Sequence, residues 1–204
     1  MKITRYFQSC LLVEDGKTRL LIDPSGQEAG NLGAFGKLDA VLYTHEHGDH
    51  FDPDLAEKFA AAGAKMYANA STAKHMKAQP AVVTDGQEFE VAGMKIQAKE
   101  LPHCLMVDGS TSVQNTGYLL NERLFHPGDG KELAGLNVEI LAVPINGPDI
   151  SLHDAYVFTM QVGAKQVMPI HFDYLGGNPG FLGRALDEKG VKLHDLENGE
   201  SVDL

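Results

Sequence analysis

Residues 44–50 read Thr-His-Glu-His-Gly-Asp-His, which sets three histidines and one aspartate within six positions. Imidazole is the commonest ligand of borderline metals and a carboxylate adds a hard oxygen, so the loop has the donors for a divalent cation. His45 and His47 stand two apart and face the same side of an extended stretch, whereas Asp49 and His50 lie further round the turn. Four donors from one short loop cannot all serve a single ion well. The spacing therefore points to two metal sites, each completed from elsewhere. His103 in Lys-Glu-Leu-Pro-His, Asp129 in His-Pro-Gly-Asp-Gly and His171 in Val-Met-Pro-Ile-His are the candidates. Each follows a predicted strand, and a rigid scaffold commonly presents binding side chains at such ends.

The elements that must position these residues can be read from the pattern. Short strands are predicted at 3–7, 10–14 and 18–23, with Asp15-Gly16 as a hairpin turn. A buried strand at 39–44 runs straight into the histidine cluster. After the cluster a helix starts, with Asp52 as N-cap and Pro53 in its first turn, and runs to about residue 62. A strand at 65–68 and a short helix at 71–77 capped by Ser71 follow. Residues 82–126 are β-rich, with strands at 89–91, 94–98, 112–120 and 124–125. The last third alternates: strand 138–143, a helix over 151–161 with a Ser151/Asp154 capping box, strand 166–170, a helix from Asn178-Pro179 to about 189, and strand 191–193. The order β-rich, βα, β-rich, βα predicts an α/β (α+β) layered fold, two sheets in one sandwich with helices outside.

Composition bounds the function. With 204 residues the chain is expected to form one domain, residues 1–204, with a core that needs no disulfide scaffold. Net charge is −11, only four of the 17 basic residues are Arg, and no Lys/Arg cluster occurs, which argues against nucleic-acid binding. No apolar run approaches the roughly 18–20 residues of a membrane span. The N-terminus does not read as a signal peptide, and Cys10 and Cys104 are expected as free thiols in a cytoplasmic protein. A small-molecule substrate is the expected partner, an anionic one included, because bound metal reverses the local field.

The motif His45, His47, Asp49, His50 resembles the H-x-H-x-D-H signature of the metallo-β-lactamase superfamily. Asp23 in Leu-Ile-Asp-Pro, His103, Asp129 and His171 match the remaining motifs of that family in order, over about residues 1–175. The opening Met-Lys-Ile-Thr, Leu-Leu-Ile-Asp-Pro and Met-Pro-Ile-His-Phe look like its ascorbate 6-phosphate lactonase-like branch. The resemblance implies an αββα sandwich of two mixed sheets. It also implies one metal on His45, His47 and His103, a second on Asp49, His50 and His171, and Asp129 between them. Zinc is the expected ion, manganese or iron the alternatives. Where many relatives carry a His in the early turn, this chain has Gln8, and an expected Gly-Gly is Asn146-Gly147.

Two such metals suit hydrolysis of an ester, lactone or phosphodiester-type substrate through a metal-bound hydroxide. Asp49 is the candidate to orient the water and move its proton, and His153 near a helix start is the candidate acid. Asp23 is expected to brace the ligand loop, His126 to orient the Asp129 region, and Tyr174 to stand on the rim. Cys104 is expected as a buried neutral thiol, and His75 and His194 at the surface. The alternatives are a metal-binding module of the same fold without turnover and an iron-dependent oxidoreductase. The oxidoreductase branch carries Glu in place of the second His; here that position is His47, and Glu46 fills a non-ligand slot.

Overall fold

The structure is a computed structural model that describes residues 1–111 and 113–204. Two seven-stranded sheets lie face to face. The first contains β1 (Lys2–Arg5), β2 (Leu11–Asp15), β3 (Thr18–Ile22), β4 (Ala40–Tyr43), β5 (Lys65–Ala68) and β6 (Ala81–Val82). The second contains β7 (Glu88–Val91), β8 (Met94–Glu100), β9 (Thr116–Leu120), β10 (Leu124–His126), β11 (Ile140–Pro144), β12 (Gln166–Ile170) and β13 (Lys192–Leu193). The last strand, β14 (Ser201–Asp203), returns to the first sheet and pairs antiparallel with β1. Each sheet is mixed: β1–β2–β3 and β7–β8–β9–β10 run antiparallel, while β3–β4–β5–β6 and β10–β11–β12–β13 run parallel.

The sequence pattern explains the layering. Strands β4 and β11 are buried throughout, as a parallel strand covered on both faces must be. Alternate residues of the central strands point inward. Leu20, Ile22, Ala40 and Leu42 of one sheet meet Tyr118, Leu120, Ile140 and Ala142 of the other. The outward set of the first sheet (Leu21, Val41, Tyr43) packs on α1 (Leu32–Phe35) and α2 (Pro53–Ala61) through Phe35, Leu55 and Phe59. That of the second (Leu141, Val143, Val167) packs on α4 (Leu152–Gln161) and α5 (Pro179–Asp187) through Phe158, Leu182 and Leu186. The result is the expected αββα order.

The caps of α2 and α4 form as read. Asp52 accepts from Leu55 N at 2.7 Å, and Ser151 and Asp154 form a reciprocal box. Helix α3 (Ala70–Ala73) is shorter than expected and is capped by Asn69, not Ser71. The Asn69 amide is locked by bonds to the Thr44 and Gln114 carbonyls, which leaves its oxygen for Thr72 N. Ser71 instead donates to Glu46. The expected strand 112–120 is formed over Thr116–Leu120, and Ser112 lies outside the described residues. A 3-10 helix (Gly26–Asn31), α1, β6 and β14 had no signal strong enough to read. Among the described residues no helix is long and apolar enough to cross a membrane.

Candidate metal centre

Every residue of the candidate site sits just beyond a strand. His45 follows β4, and His47, Asp49 and His50 occupy the turn between β4 and α2, where the amides of His50 and Phe51 both bond to the His47 carbonyl at 2.9 Å. His103 follows β8, Asp129 follows β10 and His171 follows β12. The two sheets thus deliver donors from both sides to one edge of the sandwich. Three site residues, Gln8, Asp23 and His171, adopt positive φ (55°, 50° and 60°). Non-glycine residues hold such angles only where their surroundings over-determine them.

The donor atoms fall into two groups, each with its members within 4.8 Å of one another: His45, His47, His103 and Asp129, and Asp49, His50 and His171. Asp129 reaches both. Its Oδ2 lies 3.9 Å from His45 Nε2, 3.4 Å from His103 Nε2 and 3.4 Å from His171 Nε2, and its Oδ1 lies 3.1 Å from His50 Nε2. His171 Nε2 lies 3.2 Å from Asp49 Oδ2. The seven residues singled out from the sequence are therefore brought together.

The remaining atoms of these rings test whether a metal fits. The Nδ1 atoms are used outward: His45 with Thr44 Oγ1 (3.0 Å), His50 with Asp23 Oδ2 (2.8 Å), His103 with the Cys104 carbonyl (2.6 Å) and His171 with the Asn146 carbonyl. A carbonyl or carboxylate partner holds the proton on Nδ1 and leaves Nε2 as the inward donor. The Nε2 atoms of His45, His50, His103 and His171 are buried without a hydrogen bond of in-line geometry. Buried orphan nitrogens converging on carboxylate oxygens are the donor set a divalent ion satisfies.

The electrostatics of the cluster centre on Asp129. Burial alone would raise Asp129, but the charges of His171 and His50 outweigh it and hold the carboxyl well below its usual range. Burial opposes charge on His50 and His103, yet Asp129 outweighs it in both; His50 is raised well above its usual value and His103 is pushed up to about 10. His171 is raised the same way by Asp129 and Asp49. Burial and the nearby His50 charge push His45 down, and burial and His103 do the same to His47. For Asp49, burial is overcome by His171 and His50, and the group stays well below the carboxylate range. Asp129 thus favours charge on His50, His103 and His171, while His45 and His47 are held toward the neutral form.

The bracing residues are placed as follows. Asp23 is fully buried and takes the Thr44 amide (2.8 Å), the Thr44 hydroxyl (2.7 Å) and His50. His126 donates from Nε2 to the Ser9 carbonyl at 2.8 Å and accepts Gly128 N on Nδ1, which fixes the turn carrying Asp129. Asn115, which no motif marked, accepts Asp129 N and donates to the Pro127 carbonyl. Cys104 is a buried free thiol. Tyr174 is half exposed, packs edge-on against Phe7 at 4.9 Å, and accepts from Gln27.

Two expectations are corrected. His153 is not brought to the cluster. It is exposed on α4 and lines a cleft with Tyr156 of its own helix and Phe181 and Leu182 of α5, because α4 turns its Ala155/Phe158 face to the sheet. His194 is buried, not at the surface, since it follows β13 alongside β12 and bonds Gln166 Oε1 at 2.8 Å. His75 is exposed as expected.

A β-lactamase superfamily domain matches residues 2–171. The chain belongs to the metallo-β-lactamase superfamily. Relatives within it include the protein Rv0786c of Mycobacterium tuberculosis, 34% identical over 84% of both chains. A UPF0173 metal-dependent hydrolase of Listeria welshimeri is 29% identical over the full length of both. Among solved structures, Igni18, described as a metallo hydrolase of Ignicoccus hospitalis, superposes with a TM-score of 0.80 at 23% identity, covering 98% of this chain and 97% of that one. CmlA, a diiron β-hydroxylase from Streptomyces venezuelae, shares the fold with a TM-score of 0.78 at 14% identity, covering all of this chain and 54% of that one.

Proposed function

We propose that the chain is a metal-dependent hydrolase with a dinuclear centre, its 204 residues acting as one domain on a small ester, lactone or phosphodiester-type substrate. The observation that carries this reading is the position of Asp129, one carboxylate within 3.1–3.9 Å of imidazole nitrogens from both donor groups. Two cations held side by side repel, and an anion between them offsets the repulsion.

His45, His47 and His103 would hold one ion and Asp49, His50 and His171 the other, with Asp129 shared. Bound there, divalent ions lower the pKa of water and polarise the bond to be cleaved. The chain's own part is to hold these donors. Asp23, Thr44, Cys104 and Asn146 fix the ring orientations, and Asn115 with His126 fixes Asp129. Asp49, held in its ionised form and fixed by Gln8 Nε2, would orient a water beside its group. The resemblance to the lactonase-like branch supports a lactone or ester as the first substrate to try. The named activity of the UPF0173 relative supports hydrolysis.

One further contact favours hydrolysis over the oxidative chemistry of CmlA. Glu46 directs both carboxylate oxygens to Ser71 and Thr72 at the start of α3. The donor set is thereby five imidazoles and two carboxylates, a set that suits zinc. The two buried free thiols suit a reducing compartment.

The test is elemental analysis of protein purified without a tag or chelator, paired with a panel of ester, lactone and phosphodiester substrates. We expect about two ions per chain in the wild type, loss of both in Asp129→Ala, and loss of hydrolysis in parallel. Protein that takes up no zinc, manganese or iron on reconstitution overturns the reading. Full loading without turnover of any substrate favours the binding module.

A further inference from the structure

Gln8 lies in the turn between β1 and β2 and is 2% exposed. Its main chain and its side chain are both engaged. The amide N–H donates to Asp173 Oδ2 at 2.6 Å, and the carbonyl accepts His171 N at 2.9 Å. The side-chain Oε1 accepts the amides of Asp173 (2.8 Å) and Tyr174 (3.2 Å). Nε2 donates to Asp49 Oδ2 at 3.2 Å. The two backbone donors decide which end of the side-chain amide is oxygen, so the end that faces Asp49 must be the NH2 group. A carboxylate oxygen has a lone pair for that proton and another for an ion.

The support behind Gln8 is equally specific. Arg5, 2% exposed on β1, pairs with Asp173 and lies over the Phe172 ring at 4.3 Å. Asp173 Oδ2 thus takes both a buried cation and the Gln8 amide. A left-handed backbone at Gln8, φ 55°, is maintained by these bonds.

We propose that Gln8 is a positioning residue for the Asp49–His50–His171 group: its side chain aims the Asp49 carboxylate and its carbonyl seats the amide of His171. The inference rests on the dinuclear reading above and adds a selectivity to it. These bonds all go to the second group or to the segment behind it, so loss of Gln8 weakens one ion and spares the other.

The experiment is zinc titration of metal-free protein in competition with a chromophoric chelator, in wild type, Gln8→Glu and Gln8→Ala. Gln8→Glu keeps an acceptor for the Asp173 and Tyr174 amides and almost the same shape, but it has no proton to give Asp49. Wild type is expected to bind in two resolved steps. Both variants should keep one step unchanged and weaken the other by about 10–100-fold, the usual effect of losing a partner behind a ligand. Thermal unfolding of the metal-free proteins checks that the variants fold, and Gln8→Glu decides the matter where Gln8→Ala does not. A second step left unchanged or tightened in Gln8→Glu overturns the inference and leaves the dinuclear reading standing. Equal weakening of both steps shows that Gln8 holds the loop in general and also overturns it. Wild-type protein that binds only one zinc per chain, or none, removes the dinuclear reading and this inference with it, whereas two zincs taken up in one unresolved step overturn the selectivity alone.

Discussion

Asp23→Asn removes a charge and almost no volume, yet it should disable both halves of the centre. In the wild-type site Asp23 Oδ1 takes the Thr44 amide, and Oδ2 takes the Thr44 hydroxyl and His50 Nδ1. An ionised carboxylate only accepts. The Thr44 hydroxyl must then give its proton to Asp23, and its oxygen must accept from His45 Nδ1, 3.0 Å away. One carboxylate therefore sets the tautomer of two imidazoles, one in each donor group. Asparagine keeps an oxygen for the Thr44 amide but places NH2 where Oδ2 was. Its protons meet Thr44 Oγ1 and His50 Nδ1, and the Thr44 hydroxyl turns its own proton to His45 Nδ1. Both rings are then driven to carry their proton on Nε2, the atom that faces the ion.

The magnitude follows from the geometry. Loss of the partner behind a metal ligand costs about 10–100-fold in affinity, or roughly 1.4–2.8 kcal/mol. With His45 in one group and His50 in the other, each ion should weaken by that amount. In the metal-free protein His50, raised well above its usual value, loses a buried carboxylate partner 2.8 Å away, so the fold should also weaken, by about 3 kcal/mol or more. Zinc competition measures the first quantity and urea unfolding of the metal-free protein the second. Wild-type affinity at both steps would refute the tautomer argument outright. Weakening at one step alone would refute the relay through Thr44 while sparing the direct bond to His50.

Two further outcomes are expected. Gly128→Ala should cost about 2–4 kcal/mol in urea unfolding and strip the metal. Gly128 has φ 60°, and an added Cβ would overlap Asn115 Oδ1 and lie 2.8 Å from Thr44 Oγ1, the two residues that set Asp129 and His45; a variant as stable and as metal-loaded as wild type would contradict this. Zinc binding near pH 8 should expel a proton, because His103, pushed up to about 10, carries one in the metal-free protein. The sign for stability follows: the His103 contribution to the metal-free fold is complete below its unfolded value, about 6.5, and is lost as pH rises through about 10. Metal-free protein should therefore weaken from pH 7 to 10 while its zinc affinity rises. Calorimetry in buffers of different ionisation enthalpy that finds no proton release would count against the assignment.

Much of the fold could be read because its signals are local. The strand before the histidine loop, the Asp52-Pro53 helix start and the Ser151/Asp154 box each depend on neighbours within a few residues, and each forms as read. The misses depend on distant partners. Strand β14 is three polar-flanked residues whose extended form comes from pairing with β1, nearly the whole chain away. Ser71 is as good a cap residue as Asn69 by type; what decides between them is that Asn69 is held by the carbonyls of Thr44 and Gln114.

The site divides along the same line. Seven ligand candidates were legible because metal chemistry demands particular residue types, and those types are scarce at strand ends. The residues that aim them are ordinary in type. Thr44 matters because its hydroxyl lies between Asp23 and His45. Gln8 matters because its side-chain NH2 reaches Asp49, 41 residues on, while its main-chain N–H and its Oε1 reach Asp173, 165 residues on. His153 is the converse case: a residue type suited to acid catalysis, near a helix start, which the orientation of α4 turns outward. Residue type alone therefore identifies what can bind an ion, whereas the tautomer and direction of each donor are set by contacts that only the closed sandwich creates. This is why the selective effect of Gln8 and the joint effect of Asp23 are the sharper tests of the centre. Each depends on a particular hydrogen bond, and replacing a ligand outright would not probe either.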